Sequence, residues 1–252
     1  MRTGDLPITP AWAFDDADGA NIDVAVIDSG VDHDHPDAVG PSAPGVAMSW
    51  DPDEQEVVEE EGPHGDLYGH GTACAAIIRR AAPACRISSV RVLGSRLSGK
   101  GEVFAAGLRW AIASGARVVN LSLSTGKLEM FSLFHEVADE AAHAGVVLVC
   151  AMNNVFTPTF PSQFSSVISV AACDGEDPFR LLANPNPPAD FGAPGLDLEV
   201  AWMDGGRIVA TGNSFACPHV TGLVARLLSK HPELTPYQVK SVLRAVAANA
   251  AT

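Results

Sequence analysis

Ile22-Asp23-Val24-Ala25-Val26-Ile27-Asp28-Ser29-Gly30 is the stretch on which the reading of the fold turns. Residues 22–27 alternate polar and apolar only weakly and are rich in Ile and Val. That composition suits a strand buried on both faces of a parallel sheet. Asp28 then falls at the strand's carboxyl end, the edge of an open α/β sheet where ligands bind. A carboxylate at that edge is a site candidate; the other reading is a turn-forming Asp before Ser-Gly.

Strand and helix patterns alternate outward from there. After Gly69-His70-Gly71-Thr72, the Ala-rich run 73–82 predicts a helix opening at the glycines, with His70 in its first turn. Strands are expected near residues 86–93, 117–123, 146–151 and 167–172, and helices near 102–114 and 130–144. Residues 198–203 and 207–211 predict a hairpin turning at Asp204-Gly205-Gly206. Thr235-Pro236-Tyr237-Gln238 is a capping-box start with proline at the first helical position, opening a final helix to about Ala248. No repeat or linker interrupts the pattern, so residues 1–252 read as one α/β domain.

Three of the element boundaries carry reactive side chains. Ser214 follows Gly212-Asn213 and precedes a segment, 215–229, with helical spacing of Phe215, Val220, Leu223, Val224, Leu227 and Leu228. Pro218 is compatible with a first helical turn, where no intrahelical N–H is needed. A serine there is either a plain N-cap or a nucleophile beside free N–H groups and the positive end of the helix dipole. His70 alone, between glycines, is as readily a loop residue. Gly145 and the apolar run behind it read as a helix end and a buried strand, tipped by Asn153 and Asn154, which could equally be turn asparagines tolerating left-handed φ. Taken together, Asp28, His70 and Ser214 supply the anion, base and hydroxyl that amide hydrolysis near neutral pH requires.

The blocks Asp28-Ser29-Gly30, His70-Gly71-Thr72 and Gly212-Asn213-Ser214-Phe215-Ala216-Cys217-Pro218-His219, in that order, resemble the subtilisin family of serine proteases, and the resemblance runs from about Ala11 to Ala248. It implies a three-layer α/β fold with a mainly parallel central sheet flanked by helices, and a serine endopeptidase working through an acyl-enzyme. In that likeness Ser214 attacks, His70 moves the proton, Asp28 orients the ring, and Asn154 with the Ser214 N–H binds the oxyanion. Asn153 is the fallback donor, because it stands where the family usually has glycine. The family's pocket for the residue before the scissile bond matches Ser122, Leu123 and Ser124 on one wall, Ala151, Met152 and Asn153 on the other, and Thr159 at its floor. Ser124, Met152, Asn153 and Thr159 replace residues usually Gly or Ala, which implies a crowded pocket preferring Ala, Ser or Gly.

Further expectations follow from the same likeness. Gly99-Lys100-Gly101 resembles the edge strand that pairs with an extended substrate, although Lys100 could simply be a solubilising edge charge. Cys74, one helical turn beyond His70, resembles a thiol packed beneath the site. Asp37 matches a calcium ligand of many members, but Arg79-Arg80-Ala81-Ala82-Pro83 leads straight to the next strand with no calcium-wrapping loop. No strong calcium site of that type, and no cofactor, is expected. The partner implied is a peptide or protein substrate. A narrow processing protease fits the crowded pocket; the alternative is a catalytically silent peptide-binding module.

Composition bounds the rest. The formal net charge of −14 argues against nucleic acid, and no apolar run reaches membrane-spanning length. Residues 1–7 show no signal-peptide pattern, and Asp28 stands as near the start as in a mature catalytic domain of the family. The expectation is a cytoplasmic enzyme that folds unaided, or a chain already trimmed. Five cysteines, an odd number mostly within apolar segments, point to reduced thiols. Residues 51–66 hold eight acids and no Lys or Arg, which predicts a solvated, mobile acidic loop, or else a clamp that draws basic substrate residues.

Overall fold

A computed structural model describes residues 7–250 except 63, 156 and 185. The stretch 1–6, on which most of the reading of the N-terminus rests, lies outside them. In chain order the elements are α1 (Pro10–Phe14), β1 (Asp23–Asp28), β2 (Val46–Asp51), β3 (Glu56–Glu61), α2 (His70–Ala81), β4 (Arg86–Arg91), α3 (Gly101–Ala113) and β5 (Val118–Leu121). There follow α4 (Phe131–His143), β6 (Val147–Ala151), β7 (Ile168–Cys173), β8 (Leu182–Ala183), β9 (Phe191–Pro194), β10 (Leu198–Ala201), β11 (Arg207–Ala210), α5 (Asn213–Lys230) and α6 (Pro236–Val246).

The strand read first lies in the interior of the sheet, next to its central strand β5. β1 pairs in parallel with β4 on one side and β5 on the other, within the order β3-β2-β4-β1-β5-β6-β7-β9-β8. Its side chains alternate between two cores. Val24 and Val26 join the core of α2, α5 and α6, whereas Ala25 and Ile27 join that of α3 and α4. Both faces are therefore apolar, as a doubly covered parallel strand requires. Each such Val or Ile contributes about 1.5–3 kcal/mol through burial, which fixes β1 in register and delivers Asp28 to the sheet's carboxyl edge.

The hairpin of β10 and β11 and the capping box of Thr235 with Gln238 are as predicted. The acidic segment is not. Glu56–Glu61 is a regular edge strand, antiparallel to β2 and paired from Val46↔Glu61 to Asp51↔Glu56. Val57 sits opposite Trp50, and both pack on the core of α3, so apolar contact at this register orders a run whose charges alone predict a loop. Among the described residues no helix is long and apolar enough to cross a membrane.

Candidate active site

The carboxyl ends of β1, β5 and β6 and the amino ends of α2 and α5 meet at one edge of the sheet. Asp28 ends β1 with no exposed surface, and His70 is the first residue of α2. His70 Nδ1 lies 2.9 Å from both carboxylate oxygens of Asp28. So close an approach of helix to strand depends on Gly71, because a Cβ there would lie 1.9 Å from the Gly30 carbonyl oxygen and 3.1 Å from Asp28 Cβ. Burial alone would lower the affinity of His70 for a proton; the charge and hydrogen bond of Asp28, and then the charge of Asp66, outweigh it and hold the imidazole above its ordinary range. Phe215 covers the ring from the other helix, its centroid 5.4 Å away.

Ser214 is the second residue of α5, so its N–H has no intrahelical acceptor and its side chain sits at the positive end of the dipole. The helix begins at Asn213, which makes Pro218 the sixth residue rather than part of a first turn, a correction to the sequence reading. The consequence falls on the nucleophile's own backbone. Pro218 has no N–H for the Ser214 carbonyl one turn earlier, and Ser122 Oγ donates to that oxygen instead, at 2.8 Å. Cys74 Sγ approaches the same carbonyl at 3.8 Å and Ser122 Oγ at 3.3 Å. Among the described residues no hydrogen bond joins Ser214 Oγ to the His70 ring, and such bonds commonly close only around substrate.

Asn154 stands beside the serine. Its Oδ1 accepts the Asn213 N–H at 2.9 Å, while its Nδ2 has no protein acceptor among the described residues. A Cβ placed on Gly212 would lie 3.3 Å from Ser214 Oγ and 3.5 Å from Asn154 Nδ2, so hydroxyl and amide face the same small space. Asn153 is committed elsewhere: its Oδ1 accepts the Val155 N–H and its Nδ2 donates to Thr157. The carbonyls of Met152 and Asn153 both accept from Asn213 Nδ2, which ties the end of β6 to the start of α5.

The residues matched to specificity divide into two groups. Gly99, Lys100 and Gly101 share a cleft of about 330 Å³ with Ser122, Leu123 and Ser124. Ala151, Met152, Asn153 and Thr159 do not line it. Thr159 is buried and its hydroxyl bonds Ser162 at 2.9 Å. The 99–101 segment belongs to no ladder; Lys100 is the extended N-cap of α3, and its Nζ rests 3.8 Å above the Trp50 ring. The acidic hairpin thus holds the rim of the cleft through a cation–π contact. Of β3, only Val58 and Glu60 line the neighbouring cleft of about 450 Å³, which Arg91 and Lys100 line as well.

Two features of the wider site were legible only in part. Asp28, His70 and Cys74 bring three donor atoms within 4.8 Å of one another, all buried. The Cys74 thiol, pushed well up by burial and then by the charge of Asp28, stays protonated. Asp37 is held by Arg207, whose Nε and an Nη donate to its two carboxylate oxygens at 2.8 and 2.7 Å. All five cysteines are free thiols, four of them buried.

The model of the subtilase family, Peptidase_S8, matches residues 19–252. The chain belongs to the subtilase family. Among curated relatives, this subtilase is 32% identical over 246 residues to subtilisin E of Bacillus subtilis, covering 91% of this chain and 61% of that one. It is 32% identical to a subtilisin of Bacillus pumilus, covering 91% and 84%, and 30% identical over 239 residues to thermitase of Thermoactinomyces vulgaris, covering 90% and 82%. The chain therefore spans about three fifths of the length of the first of these relatives. Among solved structures, one described as a cold adapted subtilisin-like serine proteinase superposes with a TM-score of 0.72 at 25% identity, over 93% of this chain and 87% of that one.

Proposed function

We propose that this subtilase is a serine endopeptidase that hydrolyses peptide bonds through an acyl-enzyme, with Ser214 as nucleophile, His70 as general base and then acid, and Asp28 as the anion that orients it. The observation that carries the reading is the buried Asp28–His70 contact at 2.9 Å beside the amino end of α5. Asp28 fixes the tautomer in which Nε2 faces the serine, and it stabilises the imidazolium formed when the hydroxyl proton is taken. The tetrahedral oxyanion is placed between the Ser214 N–H and Asn154 Nδ2, two donors that need no rearrangement to receive it. An extended peptide or protein segment along the 99–101 rim, reading small residues into the space beside Ser124, is the substrate this cleft supports.

A processing role with narrow specificity is the finer form of the proposal, supported by Ser124, which lines the cleft beside the 99–101 rim where the family has a smaller residue. Its place of work is proposed to be a reducing compartment such as the cytoplasm, on the strength of the five free thiols. The test is labelling with a fluorophosphonate together with profiling of a diverse peptide library, wild type beside Ser214→Ala. Labelling and cleavage lost together in the variant, with cuts clustered after Ala, Ser or Gly, are expected. Fast cleavage after Phe or Tyr would overturn the crowded pocket. A folded wild type that neither labels nor cleaves would instead be a silent peptide-binding module.

A further inference from the structure

We propose that Asp66 is the positioning residue of the site: its carboxylate locks the start of the base's helix to the end of the acid's strand and sets a second negative charge behind the imidazole. This rests on the serine-peptidase reading above. The reason lies in how α2 begins. Its N-cap is Gly69, in a left-handed conformation at φ 101°, with no side chain to satisfy the free N–H groups of the first turn. Asp66 takes that task from outside the helix. Oδ1 accepts the Gly69 N–H at 2.8 Å and the Tyr68 N–H at 2.9 Å; Oδ2 accepts the Thr72 N–H at 2.9 Å and the Thr72 hydroxyl at 2.7 Å.

The same carboxylate reaches the strand. Oδ1 also accepts the Ser29 hydroxyl at 2.8 Å, Ser29 Oγ accepts the Gly71 N–H at 3.2 Å, and the Ser29 N–H donates to Asp28 Oδ1 at 2.8 Å. The residues before and after His70, and the residue after Asp28, are thus held in one network centred on Asp66. Five donors converge on this half-buried group; burial favours its protonated form, but the bonds from Thr72, Gly69 and Tyr68 hold it below the ordinary carboxylate range. Asp66 makes no hydrogen bond to the ring among the described residues, so its effect passes through the backbone and through its charge, which adds to that of Asp28 on His70.

The test uses Asp66→Asn, Asp66→Glu and Ser29→Ala in the full chain. In Asp66→Asn, kcat is expected to fall about tenfold or more with little change in KM, as for a base displaced by a fraction of an ångström. The acid limb of kcat/KM and the NMR titration of the His70 ring are both expected to move to lower pH; Asp66→Glu, which keeps the charge, is expected to restore the titration. A merely structural residue would lower Tm and leave both midpoints in place, and that result overturns the proposal. Ser29→Ala keeps the charge and cuts the bridge, so kcat should fall with the titration unmoved. Unchanged kcat there also overturns the proposal, and serves if Asp66→Asn does not fold. The ring titration needs no turnover, so it separates failure of this inference from failure of the peptidase reading, which fluorophosphonate labelling of the wild type reports.

Discussion

His219 makes the acid stability of this subtilase calculable. It lies at the end of the second turn of α5 with 2% of its surface exposed, and among the described residues neither ring nitrogen has a hydrogen-bond partner. Burial, and then the charge of Arg80 on α2, disfavour a proton by more than the Pro178 carbonyl and Asp177 favour it, so the folded value falls from 6.5 to about 4. The unfolded chain binds that proton near pH 6.5, and stability therefore declines as the pH drops from 6.5 towards 4. At 1.36 kcal/mol per unit, the loss by pH 4.5 is about 2.5 kcal/mol, a large share of a typical folding free energy of about 5–15 kcal/mol. His33 and His64, also lowered by burial, act in the same sense, while His70, raised, acts in the opposite one. The clean quantity is accordingly a difference. Urea unfolding of wild type and His219→Phe at pH 7 and 4.5 should show the wild type losing about 2.5 kcal/mol more, roughly a 1 M larger fall in midpoint. Equal pH slopes for the two proteins would refute the assignment of a buried, neutral, unpartnered ring.

Gly71→Ala is expected to reduce peptide hydrolysis by about 100-fold or more, because a Cβ at 1.9 Å from the Gly30 oxygen must retreat well over an ångström to reach ordinary contact, carrying His70 away from Asp28. Activity within threefold of wild type, with Tm unchanged, would show that the contact is relieved elsewhere. At Asp37 the Arg207 guanidinium occupies both carboxylate oxygens, so the Tm of the wild type should be the same in calcium and in chelator; a calcium-dependent rise that disappears in Asp37→Asn would contradict that account.

The parts of the molecule that were legible in the sequence share a physical cause. β1 reads as a strand because both its faces are buried, which leaves an apolar run with no competing period, and Asp28 interrupts that run where the sheet ends. Asp28, His70 and Ser214 stand out because a reactive side chain within two residues of a glycine at an element boundary is an uncommon arrangement, and three in order resemble a known one. The capping box of α6 is likewise local, complete within four residues. β3 was not legible, because Glu-Val-Val-Glu-Glu-Glu carries neither strand alternation nor a turn signal; its pairing is imposed by Trp50 and α3 from elsewhere in the chain.

The same distinction explains why the supporting residues of the site escaped a reading that found its reactive ones. The missing N–H of Pro218 falls on the Ser214 carbonyl by the helix's own i→i−4 spacing, but that Ser122, distant in sequence, donates there instead is set only by the folded chain. Asp66 and Glu61 are alike as residues in an acidic segment, and like-charge repulsion describes both equally well. What separates them is the geometry of donors: Glu61 projects from an edge strand, whereas five N–H and O–H groups from residues 29, 68, 69 and 72 converge on Asp66. Convergence is a property of the folded chain, set by a glycine N-cap that leaves first-turn N–H groups unsatisfied. The cue that was available lay in that glycine: a helix whose cap has no side chain, carrying a histidine at its first position, needs an acceptor from outside, and the nearest acid in sequence is the one that supplies it.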